Sequence, residues 1–234
     1  MGSMSEVRLE PLVGREHLVR ELFWSTLTIG EPLKFELNCA EQYENLSLEW
    51  YLNSGSADCA IAMIGDKPVG YCLVCTDHES FEKLQKRLVA KLLLACAFTL
   101  LTFRMNAKSR RFYWYRLKDS FTIMRTRKDL PPDVTMHAHL NVHHSHHDGS
   151  VSLKLRSHAD WVCNSHGALG YFGEMNAIGG KRIVSLRRVG GAVVANSRNH
   201  TFSWLTGQEI QRLTLVRRLE QLDVSDTKTE QRAA

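Results

Sequence analysis

The stretch HAHLNVHHSHHDGSVSL, residues 137–153, decides how this chain is read, because six of its eleven histidines fall between His137 and His147. His137 and His139 alternate with Ala138 and Leu140, which is strand spacing, and alternate strand residues share a face. Small polar residues then break the pattern. From Ser150 onward Val151, Leu155, Ala159 and Val162 recur at helical spacing, and Gly167 stands at the C-terminal stop. A strand, a turn and a helix therefore follow one another within this segment.

Three chemistries fit that layout. His143, His144, His146, His147 and Asp148 are metal-ligand types, and zinc takes histidine nitrogens in tetrahedral sets. Consecutive histidines in one turn converge poorly on a single ion, and no cysteine or glutamate lies at a useful spacing, so no metal is assigned to them. The second chemistry is anion binding. A strand that runs through a small-residue turn into a helix presents unpaired backbone N–H groups and the positive end of the helix dipole, which suits phosphate. The third is proton transfer, for which histidine is suited because it titrates near neutrality. His137 and His139 would then face whatever lies over their side of the strand.

Composition narrows the field. The chain has 234 residues, 44 % of them hydrophobic, enough for one sizeable core. A formal charge of +5 is too mild to argue for nucleic acid and fits a small ligand carrying several phosphates. Six scattered cysteines without framework spacing, and no signal-peptide pattern, point to free thiols and a cytoplasmic location. Cys72 and Cys75 form C-x-x-C, but in a strand they face opposite ways and do not share a metal. Residues 88–103 are nearly all apolar, yet the uninterrupted part after Lys91 is twelve residues, against roughly 20 for a membrane span. No transmembrane span is predicted. So apolar a helix should be covered on two or more faces, in the core, in a homodimer or beside a membrane.

The remaining pattern is mixed. A short strand at 7–12 precedes helices at 15–27 and 40–53. A hairpin turns at Gly65, Asp66 and Lys67. A long helix is predicted over 79–103. The basic, aromatic segment 104–129 reads as an amphipathic helix and loop rather than an RNA surface. Strands at 134–142, 168–177, 192–199 and 211–219 alternate with a helix at 150–166 and a short one at 179–191. The order implies an α/β (α+β) fold with a mixed, mostly antiparallel sheet flanked by helices. We expect one domain over residues 1–222, with a helical insertion at 79–127, and a disordered tail at 223–234.

The segment PPDVTMHAHLNVHHSHHDGSVSLKLRSHADWVCNSHG resembles the GNAT superfamily of N-acyltransferases, whose signature is a strand, a Q/R-x-x-G-x-G/A loop that binds the pyrophosphate of acyl-CoA, and the following helix. In one register HDGSVS covers the loop, with His147 at the Gln/Arg position and Ser150 and Ser152 at the small positions. Shifted by one, HHDGSV places His146 and Gly149, and ends on Val151. The segment GGKRIVSLRRVGGAVV resembles the family's Tyr-x-x-x-Gly-Phe region, with Leu186 at the tyrosine position and Gly191 at the phenylalanine position. That leaves the general acid unassigned. The His-x-His strand is similar to that of arylalkylamine acetyltransferases.

The resemblance implies a GNAT-like sheet and acetyl-CoA, or another acyl-CoA, as co-substrate. The acyl group would pass directly to an amine of a small molecule or peptide, with His139 as general base and His137 as its helper. The backbone near Asn141 and Val142 would orient the thioester arm. His146, His147, Asp148, Gly149, Ser150, Val151 and Ser152 would hold the pyrophosphate. The alternative it leaves open is a GNAT-fold protein that binds CoA or another ligand without acyl transfer.

Overall fold

The computed structural model describes residues 6–126, 130–146, 149–178 and 191–219. Seven strands form one sheet. They are β1 (Val7–Pro11), β2 (Ala60–Ile64), β3 (Lys67–Cys75), β4 (Met136–Val142), β5 (Gly170–Ile178), β6 (Ala192–Arg198) and β7 (Ile210–Arg218), in the order β1-β2-β3-β4-β5-β7-β6. Every neighbouring pair is antiparallel except β4 and β5. The mixed, mostly antiparallel sheet expected from the sequence is the sheet observed. The β2–β3 hairpin closes on Gly65 and Asp66, with Gly65 at φ 59°, the left-handed conformation that two-residue hairpin turns require.

Helices cover both faces. On one side α5 (Ser150–Ser165) inserts Val151, Leu155, Ala159 and Val162 against Ala62, Cys72, Val74, Met136 and Ala138. On the other side lie α1 (Glu16–Thr26), α2 (Ala40–Leu52) and α3 (His78–Leu101), whose Leu22, Tyr51, Phe81 and Leu92 share a core with Ile61, Leu73 and Cys75. Cys72 and Cys75 fall into these two different cores, as strand alternation requires. Fully burying one Leu or Phe contributes roughly 1.5–3 kcal/mol, so these two layers carry most of the driving force.

The long helix α3 leaves apolar residues without cover from its own chain. Leu88 and Leu92 are buried, but Leu94, Phe98, Leu101 and the following Phe103 are 72 %, 64 %, 76 % and 97 % exposed. Its own chain covers one face, not two. Among the described residues no helix is long and apolar enough to cross a membrane. A second helix, α4 (Ala107–Thr126), follows and buries Phe112. A short helix not foreseen, α6 (His200–Thr206), lies between β6 and β7. Its signals are local: the Asn199 side chain accepts from the Phe202 N–H at 3.0 Å, and Gly207 ends it at φ 70°. Residues 179–190 of the helix expected at 179–191, including Leu186, and the tail at 223–234 lie outside the described residues.

Asp119 joins α4 to α6. It is fully buried and accepts from the His200 and Thr201 backbone N–H groups at 2.8 and 3.0 Å, and from the Thr201 hydroxyl at 2.6 Å. Burial alone would raise its pKa. The hydrogen bonds from Thr201 and His200, with the Arg212 guanidinium beyond, outweigh it and hold the carboxyl below its usual range. A carboxyl depressed in the folded state stabilises the fold fully above its unfolded value of ~3.9, and that contribution is lost as pH falls through the lower folded value. Asp119→Ala should cost about 3 kcal/mol at pH 7 in a urea titration, and the deficit should shrink on acidification. An unchanged midpoint at pH 7 would show that α6 is held by other contacts.

Candidate functional site

The site arises where β4 and β5 part. They pair only at Met136–Tyr171 and His137–Phe172, although β4 continues to Val142 and β5 to Ile178. The backbone of β4 beyond His137 keeps its ladder to β3 on one side and faces the opening on the other. At the paired end of the two strands, Arg217 grips Asp160 of α5 with Nε and Nη2 at 2.6 and 2.7 Å, and the Tyr171 hydroxyl donates to the same carboxylate at 2.8 Å. This bidentate pair ties the crossover helix to the far half of the sheet.

His137, His139 and Asn141 face the α1–α2 side, as their spacing predicts. His137 is buried, and its Nε2 lies 2.8 Å from the Tyr51 hydroxyl. His139 is exposed on the wall of a cavity of about 510 Å³, with its ring 5.7 Å from that of Tyr51. The Asn141 side chain donates to Thr26 and to the Tyr71 hydroxyl at 2.6 and 3.2 Å, so it fastens β4 to α1 and β3. Val142 packs against the α5 core. For both residues, the backbone is what remains to meet a ligand.

The cavity also holds groups that sequence reasoning did not single out. Glu174 and Asn176 of β5, Arg212 of β7 and the Tyr51 and Tyr71 phenols line it. The alternation in GYFGEMNA places Phe172, Glu174 and Asn176 on one face, and a glutamate there was the available signal. The Glu174 carboxylate lies 3.5 Å from Arg212. Burial pushes the Tyr71 phenol up to about 12, so it keeps its proton throughout the neutral range. Arg116 and Phe202 reach the cavity from the two aromatic-rich segments of the sequence. Burial pushes the Cys75 thiol up to about 12, which makes it a poor nucleophile unless it is ionised by a metal.

At the end of β4 the loop folds back on itself. The His143 N–H donates to Val69 O at 2.9 Å, and the His146 N–H donates to His143 O at 3.0 Å. His144 Nδ1 lies 2.8 Å from Gly30 O, and His143 Nδ1 lies 2.8 Å from the Ser145 hydroxyl. These two histidines therefore shape the loop. His147 and Asp148 lie outside the described residues. Gly149, the residue before α5, has φ 85° and offers no side chain of its own as a cap, and no acid stands in the first turn of the helix. The N–H groups of Ser150, Val151 and Ser152 precede the first intrahelical donor, Leu153, which bonds Gly149 O at 2.9 Å. The N-terminus of a helix, with its N–H groups and dipole, is suited to an anion.

No family model and no curated protein matches the chain. Solved structures do. The polyamine N-acetyltransferase of Drosophila melanogaster, which forms N-acetylagmatine, superposes with a TM-score of 0.54 at 14 % identity, over 92 % of this chain and 100 % of that one. The crystal structure of SsHAT superposes with a TM-score of 0.57 at 13 % identity, over 90 % of this chain and 98 % of that one.

Proposed function

We propose that this chain, which has the fold of the GNAT N-acyltransferases, transfers an acetyl or other short acyl group from acyl-CoA to a primary amine in the cavity beside His139. The observation that carries this reading is the parting of β4 from β5, which opens directly beside His139 on the strand that precedes α5. The exposed β4 backbone from His139 to Val142 would pair with the amide-bearing arm of CoA. The pyrophosphate would lie on the N–H groups of Ser150, Val151 and Ser152, with His146 and Gly149 beside them and His147 and Asp148 completing the loop.

An ammonium ion has no lone pair with which to attack a thioester. His139 would remove its proton, directly or through one water, and the neutral amine would add to the carbonyl. The nitrogen of the tetrahedral intermediate then loses its second proton to solvent, and collapse of the intermediate expels the CoA thiolate. Tyr71, which lines the same cavity and keeps its proton, is a source for protonating it. Holding both substrates in one opening supplies much of the rate, and no covalent intermediate on the enzyme is needed. His137 would help from below, through Tyr51, by fixing the wall against which His139 stands. The apolar lining from Phe23, Leu27 and Phe202 favours an amine carried on an apolar or aromatic body.

His139→Ala should lower kcat by about 10²–10⁴-fold with CoA affinity nearly intact, and should remove the ascending limb of the pH–rate profile. Full turnover in this variant with an established acceptor would place the base elsewhere. Ser150→Phe with Ser152→Phe should weaken CoA binding about tenfold or more by calorimetry, because bulk at the helix start keeps the pyrophosphate from the amides. Unchanged affinity in the folded double variant would take the pyrophosphate away from this loop.

We also propose that a second copy covers the exposed face of α3. Residues 84–118 contain no Asp or Glu, so two such faces repel until salt screens them. Sedimentation should show a dimer that tightens with ionic strength and is lost in Leu94→Glu with Phe98→Glu. A monomer at every salt concentration rejects the dimer.

A further inference from the structure

We propose that Cys75, His78 and His137 form a zinc site where β3 and β4 meet the start of α3. The residues come from three elements. Cys75 ends β3 and pairs across the sheet with His137 of β4, and His78 is the first residue of α3. One donor atom from each lies within 4.8 Å of the other two. Zinc bonded to sulfur at ~2.3 Å and nitrogen at ~2.1 Å holds such donors roughly 3.5 Å apart, so small side-chain torsions close the set on an ion. In sequence the pattern is C-x-x-H followed by a distant histidine, and only the strand pairing brings the third donor in.

A second observation is independent of those distances. Nδ1 of His78 is buried and has no hydrogen-bond partner, while its Nε2 lies 3.5 Å from the Glu82 carboxylate. Leaving such a nitrogen unsatisfied costs about 1–3 kcal/mol, which a bond to metal removes. A carboxylate on the far nitrogen of a ligating histidine is the arrangement that fixes ring orientation and raises ligand basicity. At His137 the Tyr51 hydroxyl holds Nε2 at 2.8 Å in the same way, which assigns Nδ1 to the ion.

The donor set selects the metal. One thiolate and two imidazoles suit zinc and exclude magnesium and calcium, which require oxygen ligands. On binding, the Cys75 S–H bond breaks, its proton passes to solvent, and the sulfur lone pair forms the bond to zinc. Each imidazole donates a nitrogen lone pair and loses no proton. The three protein donors leave one tetrahedral position for water. The ion would staple two strands to a helix, with the His137 ring 5.5 Å from that of His139. The proposal does not rest on acyl transfer, and neither reading requires the other.

The test uses the full chain, purified without an affinity tag, and Co²⁺ as the spectroscopic probe for zinc. One equivalent of Co²⁺ should give intense visible bands of tetrahedral cobalt and a near-ultraviolet sulfur-to-cobalt band, both displaced by Zn²⁺. Cys75→Ser should abolish the sulfur band. His78→Gln, at the half-buried helix start, should weaken Co²⁺ binding at least about 100-fold, and Glu82→Gln about 10–100-fold. The triple variant His143→Ala, His144→Ala, His146→Ala should leave the spectrum and affinity unchanged. Co²⁺ binding without a sulfur band, affinity indifferent to His78→Gln, or binding lost in the triple variant would overturn the site and assign the metal to the exposed loop. His78→Gln decides the matter even where Cys75→Ser does not fold. Neither turnover nor CoA binding enters the readout, so failure of the acyl-transfer reading leaves this test intact.

Discussion

Two residue pairs, Met136–Tyr171 and His137–Phe172, make up the ladder between β4 and β5 among the described residues, and the candidate site follows from that shortage. A parallel pair needs a crossover, and α5 supplies it. Because the strands twist apart after His137, β4 carries backbone facing an opening rather than a neighbour. The same divergence leaves His139 exposed beside a cavity whose other wall is Glu174 and Asn176. An opening in mid-sheet forfeits ladder hydrogen bonds. The Asp160–Arg217–Tyr171 cluster offsets the loss by joining the crossover helix to the far strands with charge-assisted bonds.

Local pattern made most of the elements legible. The i, i+4 run Val151, Leu155, Ala159 gave α5, and the short turn between apolar runs gave the β2–β3 hairpin. Alternation put His137 and His139 on one face. What the pattern did not give depends on non-local partners. Asp119 reads as a solvated charge in a basic helix, and only the fold seats it under α6. Leu94 and Phe98 read as residues that need cover, in the core, in a homodimer or beside a membrane, and their own chain leaves them exposed. Glu174 and Tyr71 become site residues only because two strands separate. Seven residues are too few for periodicity to reveal α6, although its Asn199 cap and Gly207 stop were both written in the chain.

The histidine-rich stretch divides into parts with different work. His143 and His144 bond within the loop and to Gly30, holding the turn that ends β4. His139 alone among the described histidines of this stretch lines the cavity. His137 is buried with Tyr51, Phe81 and Cys75 and belongs to the core beneath it. The end of the β4–β5 pairing at His137 thus separates, over three residues of backbone, a histidine in the core from one beside the cavity. The acyl-transfer reading draws on His139, with His137 as its helper, and the zinc proposal on His137.

The central claim is that CoA lies in the opening, along β4 and on the start of α5. Hydrogen–deuterium exchange with and without CoA tests this most directly, because backbone amides of these two segments are the proposed contacts. Binding should slow exchange in residues 138–142 and 149–153 and leave β1, β2 and β7 unchanged. Saturating CoA that leaves those two segments at their free-state rates would contradict the account.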